Sequence, residues 1–220
     1  MDIAIAGGHG QVARRLERLL ARDGHRARAI VRNPDHVADV EAAGAEPVVL
    51  DLEAVEGTGP LADAVRGADA VVFAAGAGPG SGPARKRTVD HGAAVKLIDA
   101  ARAAGVDRYV MISTLGADRP DARGEAMRPY FEAKRDAEHA LRATDLAWTI
   151  VRPGSLTDDP GTGRVRLADR LDGWGRVPRD DVAAVLAAVL VDGLLVRRTV
   201  ELVAGDTPIA EALAALEADG

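Results

Sequence analysis

Short apolar runs of strand length recur along the chain, and longer segments with apolar residues at helical spacing lie between them. Seven runs stand out: Ile3 to Ala6, Ala27 to Val31, Pro47 to Leu50, Ala70 to Ala75, Tyr109 to Ser113, Trp148 to Val151 and Thr199 to Val203. Each is short and most are rich in Val, Ile or Ala, the pattern of parallel strands buried on both faces. Val12 to Leu20, Ala93 to Ala104 and Phe131 to Leu141 predict amphipathic helices, and Gly24 and Gly105 follow the first two as stops. Asp180 to Leu186 predicts a capped helix, and Pro208 to Leu216 another. The alternation is that of an α/β fold. Two stretches break the rhythm, Gly76 through Pro83 and the Gly/Asp-rich Gly154 through Gly175, and both predict loops over a site. No repeat or linker separates the halves, so residues 1–220 predict one domain, with 154–178 as a small C-terminal lid on the substrate side.

Composition narrows the class. With 220 residues, 47% of them apolar, the chain can bury one substantial core, which excludes a disordered or fibrous protein. Lys and Arg total 28 against 34 Asp and Glu, so there is no global basic field for nucleic acid or an anionic membrane. The absence of Cys removes thiol chemistry and Cys-ligated zinc, and the five His fall at no zincin spacing, so no metal is expected. The start Met1-Asp2-Ile3-Ala4-Ile5-Ala6 is unlike a signal peptide, and no later apolar run approaches about eighteen residues. The expectation is a cytoplasmic protein, neither exported nor membrane-spanning, with a small molecule as partner.

The first strand runs directly into Gly7-Gly8-His9-Gly10-Gln11-Val12-Ala13 and an amphipathic helix. Gly7 permits the tight turn, Gly10 allows backbone to approach a pyrophosphate, and small Ala13 allows close helix packing. The N–H groups and positive dipole end of the helix face the same point, a geometry that suits a dinucleotide. His9 lies in the turn, within reach of the pyrophosphate or facing solvent. The second strand ends Ile30-Val31-Arg32-Asn33-Pro34. An acidic residue at that place would pair with the ribose 2′-hydroxyl of NAD. The planar, permanently charged fork of Arg32 suits a 2′-phosphate instead, so NADP is expected, with NAD possible. Asp51 and Leu52 would border the adenine, and Ala74-Ala75-Gly76 would form a wall poor in side chains beside it.

Tyr130 and Lys134 stand four apart on a predicted helix, which brings both side chains to one face. The chain has two Tyr and only three Lys, so the pairing is informative. A free phenol, with a pKa near ~10, is a poor proton donor at neutral pH, and a neighbouring ammonium draws it toward the working range. The same ammonium can bond a ribose hydroxyl. Ser113 ends the fifth strand at the edge where open α/β sheets bind ligands, and its hydroxyl is placed to hold a carbonyl oxygen, with Thr114 as a helper. Trp174, between Gly173 and Gly175, would close over the nicotinamide or the substrate, or pack the lid.

These residues resemble the short-chain dehydrogenase/reductase superfamily, specifically its atypical NAD(P)H-binding, epimerase/dehydratase-like members. The resemblance covers nearly the whole chain. It rests on Gly7 to Ala13, Val31-Arg32-Asn33-Pro34, Val110-Met111-Ile112-Ser113-Thr114, Tyr130 to Lys134 and Thr149-Ile150-Val151-Arg152-Pro153-Gly154. It implies a Rossmann-like doubly wound parallel sheet of about seven strands in three α/β/α layers. It also implies NADP as cofactor and a catalytic Ser113, Tyr130 and Lys134, with the nicotinamide between Ser113 and Pro153-Gly154. Asp90 stands where many relatives carry an Asn of the proton relay. The expected function is hydride transfer to or from a small carbonyl or alcohol. The alternatives are a non-catalytic NADP(H) redox sensor, a flavin or quinone reductase, and an epimerase. The intact Tyr130 and Lys134 pair favours an enzyme over a sensor.

Overall fold

The computed structural model describes residues 1–78 and 80–218; Pro79 of the expected first loop, and Asp219 and Gly220 at the end of the expected domain, lie outside the described residues. In chain order the strands are β1 (Asp2–Ala6), β2 (Arg26–Val31), β3 (Glu46–Val49), β4 (Ala70–Phe73), β5 (Arg108–Ile112), β6 (Ala147–Pro153), β7 (Ser155–Thr157), β8 (Arg164–Ala168), β9 (Arg176–Pro178), β10 (Arg198–Ala204) and β11 (Thr207–Pro208). The helices are α1 (Gln11–Arg22), α2 (Val37–Ala42), α3 (Gly59–Val65), α4 (Pro83–Arg85), α5 (Ala94–Ala104), α6 (Arg128–Arg142), α7 (Arg179–Val191) and α8 (Ile209–Ala218). A π-helical segment, Lys86–Ala93, joins α4 to α5.

The main sheet runs β11-β8-β10-β6-β5-β4-β1-β2-β3. From β3 to β10 every pairing is parallel, which matches the seven expected runs. Period-two alternation of apolar side chains explains why the sheet is covered twice. In β1, Ile3 and Ile5 join the core under α1, α7 and α8, while Ala4 and Ala6 join the one under α3, α5 and α6. The fold is therefore a Rossmann-like three-layer α/β/α sandwich. Strand order reverses between β1 and β4, and ligands bind at such switch points.

The segment from Gly154 to Gly175, expected as loop, contains β7 and β8, and β8 lies antiparallel to β10. With β8 and β11 the main sheet has nine strands, two more than expected, while β7 pairs with β9 in a separate two-stranded sheet. In Arg164-Val165-Arg166-Leu167-Ala168 only Val165 is fully buried, so this edge strand lacks the continuous apolar run by which the others are recognised. β4 stops at Phe73 and β5 at Ile112, so Ala74, Ala75 and Ser113 lie just past their strands. No helix among the described residues is long and apolar enough to cross a membrane.

Candidate active site

The glycine turn is shaped by contact. Gly7 has φ +81, and a Cβ there would lie 2.6 Å from Ala75 Cα. A Cβ on Gly8 would lie 2.5 Å from Ala29 Cβ. Gly8 therefore seats the turn on β2, and both N–H groups at Gly7 and Gly8 donate to Ile30 O. The N-terminus of α1 at Gly10 has no side-chain cap, which leaves its first N–H groups for a ligand. Ala13 is buried beneath it, as close packing demands.

Beside the turn lies a cleft of about 290 Å³. Gly7, His9, Gly10, Arg32, Asp51, Leu52, Ala74, Ala75 and Gly76 all line it, so most of the expected dinucleotide residues come together. Gly8 faces Ala29 instead, and Gln11 and Val12 begin α1. Eight further lining residues were not among those expected, and four of them, His36, Glu53, Arg85 and Val89, lie outside the strands and the glycine-rich loop read from the sequence. His9 stacks on His36 with ring centroids 3.5 Å apart, and its Nε2 lies 2.8 Å from Asp39, which holds that carboxyl below its ordinary range. Asp51 Oδ1 accepts from the Glu53 N–H at 2.8 Å, so this carboxylate shapes the turn after β3.

Behind the cleft wall at Gly76 and Ala77, and outside the cleft lining, the π-helical segment and α6 each present a pair of residues four apart, Lys86 with Asp90 and Tyr130 with Lys134. Lys134 is buried, with its Nζ 3.3 Å from Asp90 Oδ1 and donating to Ile112 O at 3.2 Å. Asp90 Oδ2 accepts from the Ala77 N–H at 3.2 Å, whereas Oδ1 is buried without a hydrogen bond. A Cβ on Gly76, at the cleft wall, would lie 3.3 Å from that same oxygen. An orphaned acceptor beside an ammonium suits a ligand hydroxyl, and with the uncapped α1 terminus it makes the site fit a dinucleotide. Tyr130 is half-buried; its ring centroid lies 4.9 Å from Lys86 Nζ and 6.0 Å from Lys134 Nζ. Lys86 was missed in the sequence, although it is one of only three Lys in an Arg-rich chain.

Ser113 is placed differently from expectation. Its Oγ donates at 2.5 Å to Glu138 Oε1, and Glu138 is fully buried. Arg152 binds both oxygens of Glu138, at 2.9 and 2.6 Å, and Arg142 donates to Oε2 at 2.9 Å. Asp118 and Glu201 complete the network at 3.4 and 3.6 Å from Arg152 Nη1. Burial pulls the Arg152 guanidinium down, but the three carboxylates outweigh it and hold it above its ordinary value. The next residue, Thr114, is half-buried, and its hydroxyl makes no hydrogen bond among the described residues. Pro153 O accepts from the Leu115 N–H, and Gly154 is pressed against Gly175 O, so these two lie away from the cleft lining. The Trp174 ring covers Gly116 and lies 6.2 Å from Phe131, beside the turn that follows Ser113. No group of three His, Asp or Glu among the described residues is arranged to hold a metal.

Comparison with known proteins bears on the family and the fold. A family model described as NAD(P)H-binding matches residues 7–193. An uncharacterised sugar epimerase of Bacillus subtilis, YhfK, is 41% identical over 214 residues, covering 97% of this chain and 99% of its own. A solved structure from Bacillus halodurans, provisionally named an NAD-dependent epimerase/dehydratase, superposes with a TM-score of 0.92 at 36% identity, over 98% of this chain and 100% of that one. The oxidoreductase YlbE of Lactococcus lactis superposes at 0.85 with 27% identity, over 98% and 96%.

Proposed function

The chain belongs to the NAD(P)H-binding family and is an enzyme of its oxidoreductase/epimerase type, and from that premise we propose that it is an NADP(H)-dependent oxidoreductase of small carbonyl or alcohol compounds. The observation that carries the reading is the cluster of Tyr130, Lys134 and the orphaned Asp90 Oδ1 directly behind the wall of the glycine-lined cleft, which Asp90 meets at Gly76 and Ala77. Gly7, Gly10 and the α1 terminus would hold the pyrophosphate, Arg32 the adenosine 2′-phosphate, and Lys134 with Asp90 the hydroxyls of the second ribose. The bound nicotinamide supplies or accepts hydride.

The chain's own residues supply the proton and the oxyanion contacts. Tyr130 Oη gives its proton to the carbonyl oxygen during reduction and takes it back during oxidation. Lys134 is fixed by Asp90 and Ile112 O, which holds its ammonium 6.0 Å from the Tyr130 ring centroid. A hydroxyl carries one hydrogen, and Ser113 has given its own to Glu138, so Thr114 is favoured to steady the developing oxyanion while Ser113 anchors the floor. Residues 154–178 border the substrate side through Trp174.

The test is the near-ultraviolet absorbance of NADPH during incubation with a panel of aldehydes, ketones, flavins and quinones. Turnover is expected with at least one carbonyl, and Tyr130→Phe should lower it by roughly 10²- to 10⁴-fold while NADPH binding persists. Tight NADPH binding with no turnover would instead make the protein a sensor, and an unchanged Tyr130→Phe rate would make it a flavin-type reductase. The name of the B. subtilis relative favours a second reading, epimerisation, in which absorbance stays flat while NMR detects interconversion of two sugar epimers.

A further inference from the structure

At the outer end of the cleft two guanidinium groups converge on one oxygen. Oε2 of Glu53 lies 3.1 Å from Arg85 Nη2 and 3.6 Å from Arg32 Nη1. The other oxygen, Oε1, accepts from Thr88 Oγ1 at 2.7 Å. Arg32 follows β2, Glu53 lies in the turn after β3 and Arg85 ends α4, so three separate segments meet here, and all three residues line the cleft. The backbone that carries Glu53 is pinned independently. Lys96 Nζ donates to the carbonyls of Leu52, Glu53 and Val55 at 3.0, 2.9 and 2.9 Å. The side chain, by contrast, is partly exposed on a flexible stem and can swing away without disturbing that backbone.

An anionic oxygen hydrogen-bonded by one guanidinium, with a second guanidinium at ion-pair distance, marks a place that suits a phosphate monoester, which brings more oxygens and more charge than a carboxylate. We infer that Arg85 joins Arg32 in a subsite for the adenosine 2′-phosphate, which Glu53 fills as an internal anion until the phosphorylated cofactor displaces it. The inference rests on the NADP reading above and adds two residues that set cofactor choice. Arg85 strengthens the discrimination for NADP, and Glu53 weakens it, because its two ion pairs must be exchanged before the phosphate can enter. NAD, which lacks that phosphate, leaves Glu53 in place.

Calorimetric titration of the full chain with adenosine 2′,5′-bisphosphate and adenosine 5′-monophosphate isolates this subsite, because the probes differ only in the 2′-phosphate. NADPH and NADH titrations run in parallel. Arg85→Met is expected to weaken the bisphosphate and NADPH about tenfold and to change the monophosphate and NADH less than about twofold. Glu53→Gln is expected to tighten the bisphosphate and NADPH at least about threefold. Arg85→Lys, which keeps the charge but not the fork, should fall between Arg85→Met and the parent. All three side chains are partly exposed, and an unchanged melting temperature certifies each variant as folded. Equal loss of both probes in Arg85→Met overturns the inference. So does weaker binding of NADH in Glu53→Gln, which would make Glu53 a reader of the ribose hydroxyls. In either case the dinucleotide reading survives; if the parent protein binds neither NADPH nor NADH, that reading falls as well.

Discussion

Two glutamates, one on each side of the sheet, are fully buried and treated in opposite ways. Glu138 on α6 meets two guanidiniums and a hydroxyl, and through Arg152 it joins β6, β10 and the turn after β5. Glu17 on α1, the helix that packs along α7, has neither carboxylate oxygen hydrogen-bonded. Burial pushes its pKa up to about 8, with Arg14 and Arg18 only partly opposing the rise. A charge can be kept inside a protein when its partners are built with it, and otherwise the group gives up the charge. The pair with partners lies beneath the candidate active site, where it fixes Ser113. The solitary acid lies on the buried face of the helix whose N-terminus faces the dinucleotide cleft.

The largest effect is expected from removing the partner. Arg152→Met leaves Glu138 with Arg142 and Ser113 alone and strips Glu201 of its nearest cation, at a cost of about 3–5 kcal/mol. For a chain of this length that is a fall of roughly 10 °C in melting temperature by calorimetry. The double variant Glu138→Leu with Arg152→Met should recover part of the loss, because Glu138 is no longer a buried charge short of a partner and only the deficit at Glu201 remains. A single variant as stable as the parent would mean that the network does not hold this side of the sheet together.

Glu17 sharpens the contrast through pH. Its folded pKa lies above the ordinary value of 4.5, so the native state holds a proton that the unfolded chain releases. Stability is then complete below about pH 4.5, declines as pH rises and has lost this contribution above about pH 8. Between pH 4.5 and 7 the decline amounts to roughly 3 kcal/mol. Urea midpoints measured at intervals across that window should fall for the parent and stay nearly level for Glu17→Met, once the titration of other groups is subtracted through the difference. Parallel curves for the two proteins would show that Glu17 finds a partner or water in solution.

The contrast also marks what the chain's pattern discloses and what it hides. The seven parallel strands were legible because Val, Ile and Ala runs need no knowledge of their neighbours, and the glycine turn was legible because its constraint is local to Gly7 through Gly10. Tyr130 and Lys134 were legible as an i,i+4 pair. Glu138 sits four residues beyond Lys134 on the buried face of α6, where a charged residue among Ala137 and Leu141 is itself a signal. Its partner Ser113 lies 25 positions earlier, and nothing in either segment announces the bond. Glu53, Arg85 and Lys86 were hidden for the same reason, since each acquires its role only when three segments fold against one another. The three lysines offered a clue: Lys86 covers Tyr130, Lys96 clamps the turn of Glu53, and Lys134 meets Asp90.

The smallest effect separates the two hydroxyls at the end of β5. Ser113→Ala removes one of the donors to a buried carboxylate that keeps two guanidiniums, so the stability loss should be about 1–2 kcal/mol. If Thr114 steadies the oxyanion, Thr114→Val should lower kcat by roughly 10- to 100-fold with little change in KM for the carbonyl substrate. Ser113→Ala should then lower kcat only severalfold, to the extent that Glu138 shifts the turn. The opposite order, with Ser113→Ala the slower enzyme and Thr114→Val close to the parent, would mean that Ser113 turns its hydrogen from Glu138 to the substrate on binding. Glu138 would then be the carboxylate that loses a donor in the working state, and its two arginines would have to hold it alone.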